Sequence, residues 1–297
     1  TLDGAAFARL LDAPVIATEG RLFPVAIRWA AHDIDGRSLA EAAASAARRA
    51  LAGTAGDVLV FLPGMAEIRR VEAALADAPA VVRPLHGDLP PAAQDLALRP
   101  DAGRQRKVIL ATAIAETSLT VEGVSAVVDG GFRRAPRFDP GTGLTRLVTL
   151  RISRASAEQR AGRAGRLGPG VAYRLWTEAA HRGLAAADRP EVLDADLAAL
   201  ALDLAAWGAD PASLPFLDAP PAGALAAARG DGPCCRDSRD AENPRLRGRV
   251  LLHDVQDAPR RAASPAGLHH HAVLAARLRR RARRLPRGGG AVPPPGR

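Results

Sequence analysis

Four short apolar runs fill the middle of this chain, and each is closed by a turn signal or followed by a helical stretch. Residues 57–62 read DVLVFL and stop at Pro63-Gly64, and residues 81–85, 107–112 and 124–129 are built alike. A run that is apolar at successive positions has no polar face to give to water. It suits a strand covered on both sides, which is the environment of a parallel sheet. Helical periodicity fills the gaps. Over 66–76, Ile68, Val71, Ala74 and Leu75 share one face, and 90–98 has proline in its first turn. Strands separated by helices of this length specify an α/β layer around a parallel sheet.

The flanks are read on the same principles. A short helical stretch near the start leads to a strand candidate at 13–17, an extended segment at 22–30 and a helix over 38–51. Between 134 and 152 the rhythm breaks: Asp139-Pro140-Gly141-Thr142-Gly143 is a dense turn signal between two extended runs, so an inserted β-hairpin is expected. A helix over 156–166, capped by Ser156 with Glu158 near its start, and a strand over 171–176 follow. Residues 177–229 are helical and Ala/Leu-rich, and Trp29, Trp176 and Trp207 read as core or interface packing.

Composition matters at two points. The net charge of +9 lies entirely beyond residue 229, where 15 arginines face six acids. A basic balance is a pointer to nucleic acid, but here it belongs to the tail. Residues 230–297 contain no Phe, Trp or Tyr and are dominated by arginine, proline and glycine, so they read as low complexity. Two readings of this tail stand: an out-of-frame translation, or a basic arm that binds RNA by counterion release. Charged residues interrupt every apolar stretch, so no transmembrane helix is expected, and no leader pattern follows Thr1. Cys234 and Cys235 are adjacent, a poor basis for a disulfide framework, and with His269-His270-His271 they match no zinc spacing. A reducing, cytoplasmic compartment and no metal site are the expectations.

Two segments carry chemistry. In Gln159-Arg160-Ala161-Gly162-Arg163-Ala164-Gly165-Arg166, a continuous helix puts Gln159, Arg163 and Arg166 on one face. Planar guanidinium groups donate to several oxygens at once, so this face suits a polyphosphate. Arg160, turned away from it, is expected to cost much less in kcat than Arg166 when removed. The segment 111–120 closes a predicted strand, where ligands of open α/β sheets bind. Its hydroxyls, Thr112, Thr117, Ser118 and Thr120, suit a phosphate backbone, and Glu116 is placed to order the loop. Leu85-His86-Gly87 ends another strand. The sole lysine, Lys107, is not in a G-x-x-x-x-G-K-[ST] loop, so no complete P-loop site exists in this chain.

Taken in order, Phe61-Leu62-Pro63-Gly64, Leu85-His86-Gly87, the 111–120 segment and Gln159–Arg166 resemble the second RecA-like domain of superfamily 2 helicases. Ala115-Glu116-Thr117-Ser118-Leu119-Thr120 and the arginine-rich motif look like the DEAH-box branch, and Thr117–Gly123 with Phe138-Asp139-Pro140 and Gly143-Leu144-Thr145-Arg146-Leu147 is most similar to the bacterial HrpB-type ATP-dependent helicases. The resemblance implies an ATP-dependent RNA helicase with a RecA-like parallel sheet flanked by helices. Residues 1–20 would be a remnant of the first RecA-like domain, and 21–176 the second, with its hairpin at 134–152. Residues 177–229 would start a winged-helix region, and 230–297 would be the tail.

It also implies roles. Gln159 resembles the glutamine near the γ-phosphate and attacking water, and Arg163 and Arg166 the arginine fingers; Ser118 resembles a sensor of nucleotide state. Thr112, Thr117, Glu122, His86 and Gly87 resemble RNA-contacting positions, and the hairpin a strand-separating wedge. The cofactor would be ATP with Mg2+, bound mainly by the first RecA-like domain acting in cis, and the partner RNA, single-stranded or a duplex with an overhang, without a membrane. The chain alone is expected not to hydrolyse ATP. The alternative is a non-catalytic module that binds nucleic acid or a partner.

Overall fold

The computed structural model describes residues 4–16, 23–101, 103, 105–117 and 119–229. The tail over 230–297, with its cysteines and histidines, and Ser118 lie outside the described residues. In chain order the elements are α1 (Gly4–Leu11), β1 (Val25–Trp29), α2 (Leu39–Gly53), β2 (Asp57–Phe61), α3 (Met65–Ala74), β3 (Val81–Leu85), α4 (Pro91–Leu98), β4 (Lys107–Ala111) and α5 (Ile114–Thr117). There follow β5 (Val124–Asp129), β6 (Phe132–Asp139), β7 (Leu144–Arg151), α6 (Arg154–Ala161), β8 (Gly170–Arg174), α7 (Glu178–Arg182), α8 (Ala198–Trp207) and α9 (Ala222–Ala228). Short 3-10 turns cover Gly162–Gly165, Glu191–Leu193 and Pro211–Ser213.

Six strands form one parallel sheet in the order β1-β8-β5-β2-β4-β3. Side chains alternate across it, and both faces are covered. Val58, Val60, Val108, Leu110, Ala126 and Val128 pack under α2 and α3, whereas Leu59, Phe61, Ile109 and Val127 pack under α4, α5 and α6. This is why the strands are apolar at successive positions rather than at alternate ones. The facing surface of α2 is lined with alanines (Ala43, Ala46, Ala47 and Ala50), which let the helix lie close on the sheet.

Strands β6 and β7 form a separate antiparallel ribbon beyond β5. It docks on the segment after α7: the Phe138 N–H donates to the Asp194 carbonyl at 2.9 Å, and Arg133 and Arg137 lie 3.6 Å and 3.8 Å from the carboxylates of Asp188 and Asp194. Gly130 and Gly131 join β5 to the ribbon. Gly131 has φ +75°, and a Cβ there would meet the Trp176 ring at 2.8 Å, so the junction needs glycine both for conformation and for space.

At the opposite end of the sheet, the only lysine is fully buried. The Lys107 main-chain N–H donates to Asp57 Oδ1 at 2.8 Å, and its ammonium donates to the carbonyls of Ala97 (2.8 Å) and Arg99 while lying 3.7 Å from Asp57 Oδ2. Burial pulls the lysine below its ordinary pKa and pushes the Asp57 carboxyl above its own. The pair ties the end of α4 to the base of β2 and β4.

Three expectations need correction. Residues 13–16 form no strand; Val15 and Ile16 are exposed, and no neighbouring strand among the described residues pairs with them. The last strand ends at Arg174 rather than at 176, because Trp176 leaves the ladder to pack edge-on against Trp29, their centroids 6.3 Å apart. Trp207, read as core or interface packing, is 54% exposed and so is not part of the core.

Gly131→Ala and Gly143→Ala separate strain from clash. Gly143, in the hairpin turn, also has positive φ but nothing within 4 Å of its Cβ position. Urea denaturation is expected to show a loss of about 1–2 kcal/mol for Gly143→Ala, from backbone strain alone. Gly131→Ala is expected to lose about 2–4 kcal/mol, because overpacking against Trp176 adds to the strain.

Candidate functional site

The helix that carries the arginine-rich motif begins two residues earlier than its sequence indicates, at Arg154. Helix α6 is capped by Ser153, whose Oγ accepts from the Ser156 N–H at 3.1 Å. The expected cap, Ser156, uses its hydroxyl elsewhere: it donates to Glu116 Oε1 at 2.7 Å. The helix does not run unbroken to 166. At Gly162 it tightens into a 3-10 turn that brings Gly165 against the Phe23 carbonyl, where a Cβ would stand only 2.6 Å away.

Arg160, expected to point away from the polyphosphate face, is the most constrained side chain of the motif. It is 1% exposed, and its Nε donates to Glu116 Oε2 and its Nη1 to Asp129 Oδ1, both at 2.9 Å. A further bond reaches the Phe132 carbonyl, and the guanidinium lies 4.8 Å from the Phe61 ring centroid. Burial alone would lower its pKa, but the two carboxylates outweigh burial and hold it above the ordinary arginine value. The sequence carried a signal for this. Asp129 closes a strand that is apolar at four of its other five positions, and a buried carboxylate needs a cation.

Glu116 therefore joins two motifs. Its carboxylate holds Ser156 and Arg160 of α6, while its main-chain carbonyl accepts from Arg163 Nη2. Arg163 Nη1 donates to the Leu119 carbonyl at 2.8 Å, and Arg166 Nη1 donates to Thr120 Oγ1 at 3.1 Å. Burial, and then the neighbouring Arg166 charge, lower the Arg163 pKa against the pull of Glu116. The ordering role read for Glu116 is thus a set of named bonds.

The other candidate positions fall into two groups. Thr112 follows the last residue of β4, and its N–H donates to the Leu85 carbonyl at 3.2 Å, so Thr112, His86 and Gly87 lie at the same end of the sheet. Thr117 ends α5 in the same connection. Glu122 stands apart, exposed just before β5, with its N–H bonded to the Leu98 carbonyl at the opposite end of the strands. Gln159 is half-buried and directly precedes Arg160. Among the described residues, no group of three His, Cys, Asp or Glu side chains could hold a metal ion. No described helix is long and apolar enough to cross a membrane.

Comparison with known proteins gives this arrangement a family. Residues 43–168 match the helicase conserved C-terminal domain. The ATP-dependent RNA helicase HrpB of Escherichia coli K12 is 45% identical over 234 residues, which is 77% of this chain and 29% of that protein. The pre-mRNA-splicing factor ATP-dependent RNA helicase prp22 of Schizosaccharomyces pombe is 37% identical over 240 residues, 77% of this chain and 20% of that protein. A crystal structure of the Escherichia coli DEAH/RHA helicase HrpB superposes with a TM-score of 0.72 at 38% identity, covering 98% of this chain and 38% of that one.

The chain carries the C-terminal half of the motor region of the DEAH/RHA helicases.

It spans less than a third of the length of these curated relatives. In this helicase domain, the side of α6 away from Glu116 meets a second polar cluster. Arg174 at the end of β8 is buried, and its Nη2 donates to Glu158 Oε1 at 2.8 Å. The Arg174 guanidinium lies 4.8 Å from the Trp29 ring centroid, and His181 of α7 packs 5.0 Å from the same ring. Burial and then the Arg174 charge hold the His181 imidazole below its ordinary 6.5.

Two outcomes are expected. Arg160→Ala leaves Glu116 and Asp129 without their cation and is expected to cost about 3–5 kcal/mol in urea denaturation. Arg166→Ala is expected to change stability by about 0.5 kcal/mol or less, because its single bond is at the surface. For His181, the folded group binds fewer protons than the unfolded one in the window just below 6.5. Unfolding free energy should therefore rise with pH through that window and level off above it, and His181→Gln should flatten the rise.

Proposed function

We propose that this chain is the second RecA-like half of an ATP-dependent RNA helicase. The observation that carries the reading is the Glu116 joint. One carboxylate binds the loop that closes β4 to the helix bearing Gln159, Arg163 and Arg166. A motor must transmit events at its nucleotide to its grip on nucleic acid, and a rigid, buried connection between the two segments serves that purpose. Its relatives are named as ATP-dependent RNA helicases, which supports the same reading.

In this proposal residues 21–176 are the RecA-like unit with its hairpin at 134–152, 1–20 belongs to the preceding domain, and 177–229 opens a winged-helix region. ATP with Mg2+ would be held mainly by the first RecA-like domain in cis and would supply the phosphoryl group that water attacks. The residues of this chain fit one side of that ligand. Arg163 and Arg166 are close enough for one to depress the pKa of the other, and an anion set between them would relieve that repulsion. Gln159 would orient the water, and Ser118 would report the nucleotide state. Thr112, Thr117, His86 and Gly87 would track the RNA backbone at the carboxyl ends of β3 and β4. Glu122, at the other end of the sheet, would act outside that group. We place the protein in the cytoplasm on the strength of its cysteine usage.

Steady-state kinetics on the complete helicase test the finger assignment. Arg166→Ala is expected to lower the RNA-stimulated kcat for ATP by about 10²–10⁴-fold with a much smaller effect on KM. A loss confined to KM would count against it. The 297-residue chain alone is expected to show no ATP turnover above a buffer blank, since it contains no phosphate loop. Turnover there would mean that it is not one half of a two-domain site.

A further inference from the structure

Helix α6 is fixed on one side by Arg160 and on the other by Glu158. With about 3.6 residues per turn, two residues of separation place these side chains on nearly opposite sides of the helix, with Gln159 between them. The Arg160 anchor is buried and rigid. The Glu158 anchor differs in kind: Glu158 is 63% exposed, but its partner Arg174 is 2% exposed and is packed against the rings of Trp29 and Trp176, at 4.8 Å and 5.9 Å. A guanidinium held in this way has its direction set before it meets a carboxylate.

Magnitude decides what such a pair does. An ion pair with one exposed partner adds roughly 0–1 kcal/mol to stability, so holding the domain together is not its main effect. Direction is a different matter. Misplacing a reacting group by about 1 Å can cost on the order of 10²-fold in rate.

We propose that Arg174 is a positioning residue for Gln159. It holds Glu158 so that α6, already fixed by Arg160, keeps the rotation about its axis that turns Gln159 to the nucleotide. The proposal rests on the helicase reading given above. His181 completes the clamp: its Nε2 is 3.5 Å from Arg174 Nη1 and 3.8 Å from Glu158 Oε1. The other charges that act on it are Arg154 of α6 and Asp129 of β5. A protonated His181 sets a second cation against Arg174 and competes for the same carboxylate oxygen, so the clamp loosens in acid.

The test has two arms. In the 297-residue chain, Glu158→Gln is expected to leave the urea midpoint unchanged while amide exchange over residues 158–163 speeds up several-fold. In the complete helicase the same substitution is expected to lower kcat about 10-fold with the KM for ATP unchanged, as loss of orientation alone would do. Glu158→Asp should recover part of that loss. Arg174→Lys, which keeps the charge but not the planar fork, should act in the same direction, and the Glu158→Gln/Arg174→Lys double variant should be no worse than the more damaging single one. The wild-type kcat should fall as the pH drops below the range of a neutral His181, and Glu158→Gln should remove that dependence. Unchanged exchange in the chain, or an unchanged kcat in an active helicase, overturns the clamp. A wild-type helicase without ATP turnover removes the helicase reading instead, and the exchange arm then decides the clamp by itself.

Discussion

A guanidinium buried between two carboxylates sets the terms for the rest of this domain. Arg160 has left water, and the desolvation that this costs is offset only because Glu116 and Asp129 meet it at 2.9 Å each. Those two acids come from different places. Asp129 ends the central strand β5, and Glu116 sits in α5, in the connection that follows β4, two strands away in the sheet. Three segments distant in sequence must therefore arrive together, since any one missing leaves an uncompensated charge in the core. Glu116 adds further constraint through Ser156 and the Arg163 contact to its carbonyl. The loop and the helix cannot be rearranged separately without breaking charge-assisted bonds.

The sheet that carries this centre was the more legible part. A strand buried on both faces is forced to be apolar throughout, and β2, β4 and β5 advertise themselves in that way. The hairpin was legible for a different reason, since the residues that make its turn are chosen by backbone conformation rather than by packing. What sequence reasoning missed has a common cause. It treated the arginine-rich motif as one helix with a single polyphosphate face, so Arg160, turned away from that face, was given no partner. Helical spacing fixes relative angles only; which side faces the core depends on where the partner acids are, and those belong to other segments. The Ser153 cap was missed for a related reason: Ser153 and Ser156 are equally good caps locally, and the distant Glu116 decides between them. The isolated apolar stretch at 13–16 showed the converse, a locally convincing strand with no partner to pair with.

The two sides of α6 illustrate a division of labour between charge pairs. The Arg160 side is buried at every member and works through the cost of breaking it. On the Glu158 side, one partner is held among rings and the other is open to solvent. Such an arrangement gives direction with little depth, and it leaves an imidazole in position to respond to protons. A helix held in these two ways is stable and yet adjustable in orientation, as the proposed contact with a nucleotide held by another domain would require.

The buried lysine has a consequence for how this surface can be addressed chemically. With Lys107 enclosed beneath the sheet and no second lysine in the sequence, no side-chain amine is available anywhere on the chain's exterior. Amine-directed acylation, carbamylation and cross-linking therefore find no exposed lysine to react with among these 297 residues. Every positive charge that an anionic polymer meets here is a guanidinium, or an imidazole in acid. The electrostatics of this surface consequently lie beyond the reach of the lysine modifications by which many nucleic-acid-binding proteins are tuned.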